Sequence, residues 1–160
     1  MTDPHTLHLP VCASSSTLIK MPQRSRAREV ALQLLFQRDL NSDVSRSEIE
    51  RFVRDRLRGE RLQSFCLELF DGVVSRQVEI DDCITKAAEN WRLPRMPAVD
   101  RNVLRLGIFE SIHYSDTPLA VAFDEAIELA KRYGSADSPS FVNGVLDQVR
   151  KVQTGKLEEG

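Results

Sequence analysis

The sequence predicts an all-α protein: about seven helices in two halves that pack together. Three observations carry that expectation. Apolar residues recur at three- and four-residue spacing in segment after segment, with no convincing strand among them. Hydrophobic residues make up 41% of the 160, enough to supply a real core. The breakers Gly59, Pro94, Pro97, Pro118, Gly134 and Pro139 fall at the edges of the periodic segments rather than within them.

Residues 1–22 show no period. They mix His5, Pro10, Ser14, Ser15, Ser16 and Pro22 with scattered apolar side chains and read as a flexible tail. A signal peptide needs a basic start and a continuous apolar stretch, and neither is present. Cys12 follows Val11, where a lipoprotein cleavage site needs a small residue. The first helix begins at Arg24. Ala27, Val30, Ala31, Leu34 and Leu35 form its apolar face, Arg28, Gln33 and Gln37 its polar one, and Asn41, Ser42 and Asp43 end it as a turn. A short helix over 48–57 follows, with Ser47 available as its cap, and Gly59 breaks the pattern.

The third helix covers 62–74, with Leu62, Phe65, Cys66, Leu69, Val73 and Val74 inward. The fourth, over 78–90, turns Ile80, Ile84, Ala87 and Ala88 to the core. Pro94 and Pro97 mark a boundary, and the two halves are expected to meet near 91–97. Beyond it a fifth helix over 98–114 carries Val99, Val103, Leu104, Leu106, Ile108 and Ile112. Pro118 opens a sixth, bearing Val121, Ala122, Ala126, Ile127, Leu129 and Ala130, which Gly134 stops. The seventh takes Ser138 as cap and Pro139 at its first position, with Phe141, Val142, Val145, Leu146 and Val149 inward. Residues 23–152 form the helical domain, and 153–160 read as a flexible C-terminal tail.

Charge narrows the function classes. With 22 basic against 24 acidic residues the net charge is −2, which excludes a uniformly basic nucleic-acid binder. No stretch reaches the roughly 18 apolar residues that a spanning helix requires. The three cysteines, Cys12, Cys66 and Cys83, lack paired metal spacing, so a disulfide framework is not expected and a reducing cytoplasm fits. The charges are unevenly placed, however. Arg24, Arg26 and Arg28 cluster without an acid, and Arg92, Arg95, Arg101 and Arg105 face only Asp100 across 91–105. Across 106–147 acids outnumber Lys131 and Arg132. Such segregation either serves two partners or places Arg on solvated faces where Lys is common.

Enzymatic constellations are missing from the sequence: no glycine-rich phosphate loop, no nucleophile elbow, no helix with two His at metal spacing. His5, His8 and Cys12 could gather around zinc but lack a fourth ligand and a rigid frame. No catalytic residue, metal or cofactor is expected. Asp81-Asp82 and Asp124-Glu125 stand near helix starts, where they meet the positive end of the dipole. Cys66 and Cys83 behave as small hydrophobes, and His113 suits a helix surface. Arg24, Arg26 and Arg28 say more. Guanidinium groups offer planar donors to phosphate and stack on exposed bases, the chemistry that holds single-stranded RNA. A helix N-terminus is a poor place for positive charge, and an external anion resolves that conflict.

Arg24-Ser25-Arg26-Ala27-Arg28-Glu29, followed by Ala31-Leu32-Gln33-Leu34-Leu35-Phe36, resembles the opening helix of NusB transcription antitermination factors. Val99-Asp100-Arg101-Asn102-Val103-Leu104-Arg105-Leu106 with Phe109-Glu110 resembles a longer motif of the same family. So do Asp124-Glu125-Ala126-Ile127-Glu128-Leu129-Ala130-Lys131 and Phe141-Val142-Asn143-Gly144-Val145-Leu146-Asp147. Residues 41–90 agree in pattern alone.

The resemblance implies two packed helical bundles and a cytoplasmic protein that is not an enzyme. It implies binding of boxA-type RNA together with NusE, a ribosomal small-subunit protein, in the complex that lets RNA polymerase pass terminators in ribosomal RNA operons. By position it implies RNA contacts at Arg24, Arg26 and Arg28, with Arg105, Ser138, Phe141 and Asn143 beside them. It implies NusE contacts at Phe36 and Asp100. Phe36 stands where the family often has Tyr, and also suits plain core packing. Asp100 also suits a helix N-terminus, Arg105 an ion pair, and Asn143-Gly144 close approach of two helices. Some family members self-associate, so a homodimer belongs among the expectations. Met21-Pro22-Gln23-Arg24 looks like the usual family start, which leaves about twenty residues ahead of it. Two other readings stand beside this one. A helical interaction or homodimer module would lack RNA affinity. An RNA-methyltransferase accessory domain would need an added cofactor-binding domain of well over a hundred residues.

Overall fold

The computed structural model describes residues 23–158. Those residues form seven α-helices and one short 3-10 turn, with no strand among them. They belong to two compact units that divide between Asp71 and Gly72. The predicted tail over 1–22, with His5, His8 and Cys12, lies outside the described residues.

The first unit holds α1 (Gln23–Leu40), α2 (Arg46–Arg56) and most of α3 (Glu60–Ser75). The predicted turn closes α1: the Asp43 N–H donates to Asn41 Oδ1 at 3.0 Å, an Asx turn. Ser45, not Ser47, caps α2, taking the Glu48 N–H on its hydroxyl at 3.3 Å. The reason is spacing. Ser45-Arg46-Ser47-Glu48 places an acceptor three residues ahead of Glu48, as in a capping box. Gly59 adopts φ 93°, a left-handed conformation that a side chain disfavours, and this turns the chain into α3. Arg46 ties α2 to α3 through two bonds to Asp71, at 2.6 and 2.9 Å. Val30, Ala31, Leu34, Val53, Leu57, Cys66 and Leu69 are buried. Burial pushes the Cys66 thiol up to about 12.

The second unit holds α4 (Gln77–Ala87), the 3-10 turn (Leu93–Arg95), α5 (Ala98–His113), α6 (Leu119–Tyr133) and α7 (Ser138–Glu158). Residues 102–110 of α5 are all buried, and α4, α6 and α7 each pack against this helix. Because α4 also packs on α7, the compact units do not divide near 91–97, where the prolines suggested a meeting point. Pro94 lies in the 3-10 turn and Pro97 caps α5, so the prolines stand between two helices of one packed unit.

Two further expectations change. The close helix approach expected at Asn143-Gly144 is found instead at Gly107, where a Cβ would lie 2.9 Å from the Ala126 Cβ; a Cβ at Gly144 would meet nothing within 4 Å. Gly134 does stop α6, with φ −90° and so without a left-handed turn; the missing Cβ leaves room for the Ser138 hydroxyl. The last helix continues through 153–158, which the sequence assigned to a tail. Ile112 and Val121, apolar members of their periodic runs, are each 44% exposed.

Candidate nucleic-acid interface

The first turn of α1 contains no acid. Its arginines nevertheless do not project together. Arg24 is exposed, with its guanidinium 4.9 Å from the centroid of the Phe65 ring on α3. Arg28 is only 5% exposed and stands 5.4 Å from the same centroid. Helical spacing explains the pair, since positions four apart share a face. Arg26 points elsewhere, donating at 3.0 Å to Glu29, whose side chain is almost wholly buried. A guanidinium over a ring meets it with its flat face, while its N–H donors lie in the plane of the group. Arg24 and Arg26 are therefore the members of the cluster within reach of a phosphate. Arg28 is buried and fixes the aromatic seat. Phe36, further along α1, is half-buried.

In the second unit Arg105 is 5% exposed and committed. Its Nε and Nη2 donate to the two carboxylate oxygens of Asp81 at 2.7 and 2.9 Å, and Nη1 donates to Asn102 Oδ1 at 3.0 Å. The bidentate geometry matches guanidinium to carboxylate and leaves little for a nucleic acid. Asp81 thus serves as the brace of Arg105 beyond any interaction with the α4 dipole.

Asp100 is 4% exposed. Burial pushes its carboxyl above the usual range, and a hydrogen bond from Ser138 pulls it back in part. Its Oδ1 is buried with no hydrogen-bond partner among the described residues. Ser138 is itself buried, and its hydroxyl also accepts the Ser135 N–H at 2.9 Å. It is an internal link, poorly placed to touch RNA. Phe141 is half-buried with Trp91 at 5.6 Å between centroids, and Asn143 is exposed. The structure therefore joins Arg24 and Arg28 at Phe65, Asp100 to Ser138, and Phe141 to Trp91.

Sequence reasoning overlooked Phe65 as a seat for arginines, Asp81 as an acceptor, and Trp91 altogether. The Phe65 role follows from tertiary packing and has no local signal. Trp91 had one: an aromatic residue beside Arg92 and near Arg95, in the pattern that nucleic-acid binders use. Among the described residues no group of three or more His, Cys, Asp or Glu could hold a metal ion. None of their helices is long and apolar enough to cross a membrane.

Fold and chemistry define the class first: an all-α protein of seven described helices whose first helix opens on arginines. Comparison with known proteins then gives the family. The NusB family model matches residues 25–151. The transcription antitermination protein NusB of Sorangium cellulosum is 44% identical over 129 residues, covering 81% of this chain and 92% of that protein. The protein of the same name from a Geobacter species (strain M21) is 39% identical, covering 85% of this chain and 99% of the relative. Among solved structures, T. maritima NusB matches with a TM-score of 0.71 at 36% identity, over 82% of this chain and 92% of that one. A crystal structure of antitermination factors NusB and NusE in complex with double-stranded RNA matches with a TM-score of 0.73 at 28% identity, over 82% and 98% of the respective chains. The chain belongs to the NusB family, a family of transcription antitermination proteins and not of enzymes.

Proposed function

We propose that this chain is a cytoplasmic, RNA-binding antitermination factor that binds boxA-type RNA together with NusE, within the RNA polymerase complex on ribosomal RNA operons. The observation that carries the reading is the family match over residues 25–151 together with the arginines that open α1. Arg24 supplies the first phosphate contact from its seat on Phe65. Arg26 supplies the second by exchanging Glu29 for phosphate, and Arg28 holds the ring beneath Arg24. In the second unit Phe141 and Asn143 remain RNA candidates. Arg105 and Ser138 act through their neighbours.

Toward NusE, half-buried Phe36 is the more accessible of the two expected contacts, and Asp100, 4% exposed, has to be uncovered to receive a donor. A buried carboxylate oxygen without a partner is costly, and a donor from NusE would relieve that cost. Phe36 contributes an apolar contact and no hydroxyl.

The net charge of −2 supplies no long-range attraction to RNA, so affinity rests on this local patch. Single-strand binding releases about 0.7 counterion per phosphate neutralised. Replacing Arg24 and Arg26 together by Ala is expected to flatten the log-affinity against log-salt slope by about 1.4 and to weaken binding by about 2 kcal/mol. The measurement is a salt titration of boxA-type RNA with and without NusE. Equal slopes and affinities for wild type and double variant would remove these arginines from the site.

A further inference from the structure

We propose that Trp91, braced by Phe141 and flanked by Arg92 and Arg95, is a stacking platform for one unpaired base of the bound RNA. The inference rests on the RNA reading above and adds a site in the second unit that the arginines of α1 do not supply. Trp91 is 53% exposed, an unusual position for the largest apolar side chain. It is not loose. Its ring meets that of Phe141 on α7 at 67°, with centroids 5.6 Å apart, the edge-to-face arrangement aromatic pairs favour. The Trp91 N–H donates to the Ala88 carbonyl at 2.9 Å, tying the backbone back to the end of α4. A rigid ring with an open face is what base stacking needs, because little side-chain freedom is lost on binding.

The surroundings point to nucleic acid as the occupant. Beside the ring pair lies a hollow of about 330 Å³, and Asn90, Ser140 and Gln148 line it with groups able to meet a base edge. Arg92 and Arg95 follow in the chain, both exposed and with no ion pair among the described residues. Glu89 is the acid that lines the hollow, and it sets the rim against a bare phosphate but not against a base. The arginines, just after the indole in the chain, therefore offer phosphate contacts to the strand while the base lies on the indole. An aromatic face interleaved with guanidinium groups is the usual means of gripping a single strand without a basic overall charge.

Trp91 is the single tryptophan of the chain, so its own emission reports the contact. The experiment titrates full-length protein with single-stranded boxA-type RNA, following tryptophan emission and, in parallel, the anisotropy of labelled RNA. Saturable quenching is expected, with the same midpoint as the anisotropy curve. Trp91→Ala is expected to lower affinity about ten-fold, and Trp91→Phe, which keeps a ring, to restore most of it. Circular dichroism checks the fold of both variants, and quenching in the wild type decides the matter if Trp91→Ala is unstable. RNA binding by anisotropy with unchanged emission and equal affinity of Trp91→Ala overturns the platform alone. No RNA binding by the wild type overturns the RNA reading and the platform together. Loss of NusE binding with RNA affinity intact assigns the ring to the protein partner, which also overturns the proposal.

Discussion

Arg28 in the first unit and Arg105 in the second are equally withdrawn from solvent, each about 5% exposed. The chemistry around them differs. Arg28 and Arg24 both lie over the Phe65 ring, whereas Arg105 is clamped by both oxygens of Asp81 and by Asn102. A ring stabilises a guanidinium without cancelling its charge, while a carboxylate cancels it. One region seats its arginines on an aromatic ring, and the other uses an arginine to fasten α4 to α5. Counting arginines along the sequence cannot separate these roles; what each one faces can.

The largest expected effect lies at the clamp. Arg105→Ala strands the Asp81 carboxylate, and unfolding in denaturant should show a loss of about 3 kcal/mol. The double variant Arg105→Ala with Asp81→Ala should lose less than the two single losses combined, because it leaves no unpaired charge. RNA affinity should be untouched wherever the fold is intact. A stable Arg105→Ala with weakened RNA binding would break the comparison and return Arg105 to the interface.

At the aromatic seat the effect is smaller. Phe65→Leu keeps most of the apolar volume but removes the ring from beneath two guanidinium groups. The expected loss is about 1.5 kcal/mol in stability, with weaker RNA binding through Arg24, read by denaturation and anisotropy. Unchanged RNA affinity would show that Arg24 is placed by something other than Phe65.

The smallest effect concerns Asp100, the buried acid of the second unit. Burial raises its carboxyl above the unfolded value, so the folded state binds its proton more tightly. The stabilising contribution is complete below the ordinary carboxylate value and is lost as pH rises through the raised one. Asp100→Asn carries no charge at any pH. It should match or exceed wild-type stability at neutral pH, with the gap closing as the solution is acidified, while NusE binding weakens. A gap independent of pH would detach the effect from ionisation.

Much of this was legible from residue order. All seven helices of the described residues follow from period and breakers, because helix formation is largely local, and the break at Gly59 is a left-handed turn. Boundaries moved where a side chain chose among near neighbours, as when Ser45 displaced Ser47 at the start of α2. The candidate site was less legible. That Arg24 and Arg28 meet Phe65, or that Arg105 finds Asp81 twenty-four residues away, depends on how helices pack. Gly107 and Gly144 make the same point: both are helical glycines, and only Gly107 has a neighbour that needs the space.

That contact at Gly107 bears on how quickly the second unit can assemble. Gly107 and Ala126 belong to consecutive helices, and only residues 114–118 separate the end of α5 from the start of α6. The Thr117 N–H donates to the Tyr114 carbonyl at 3.2 Å, so the link is already folded back on itself. Loop-closure entropy rises with the length of chain enclosed, and here that length is short. This close helix contact is thus also a cheap one to close, the low-contact-order arrangement associated with rapid folding of helical proteins.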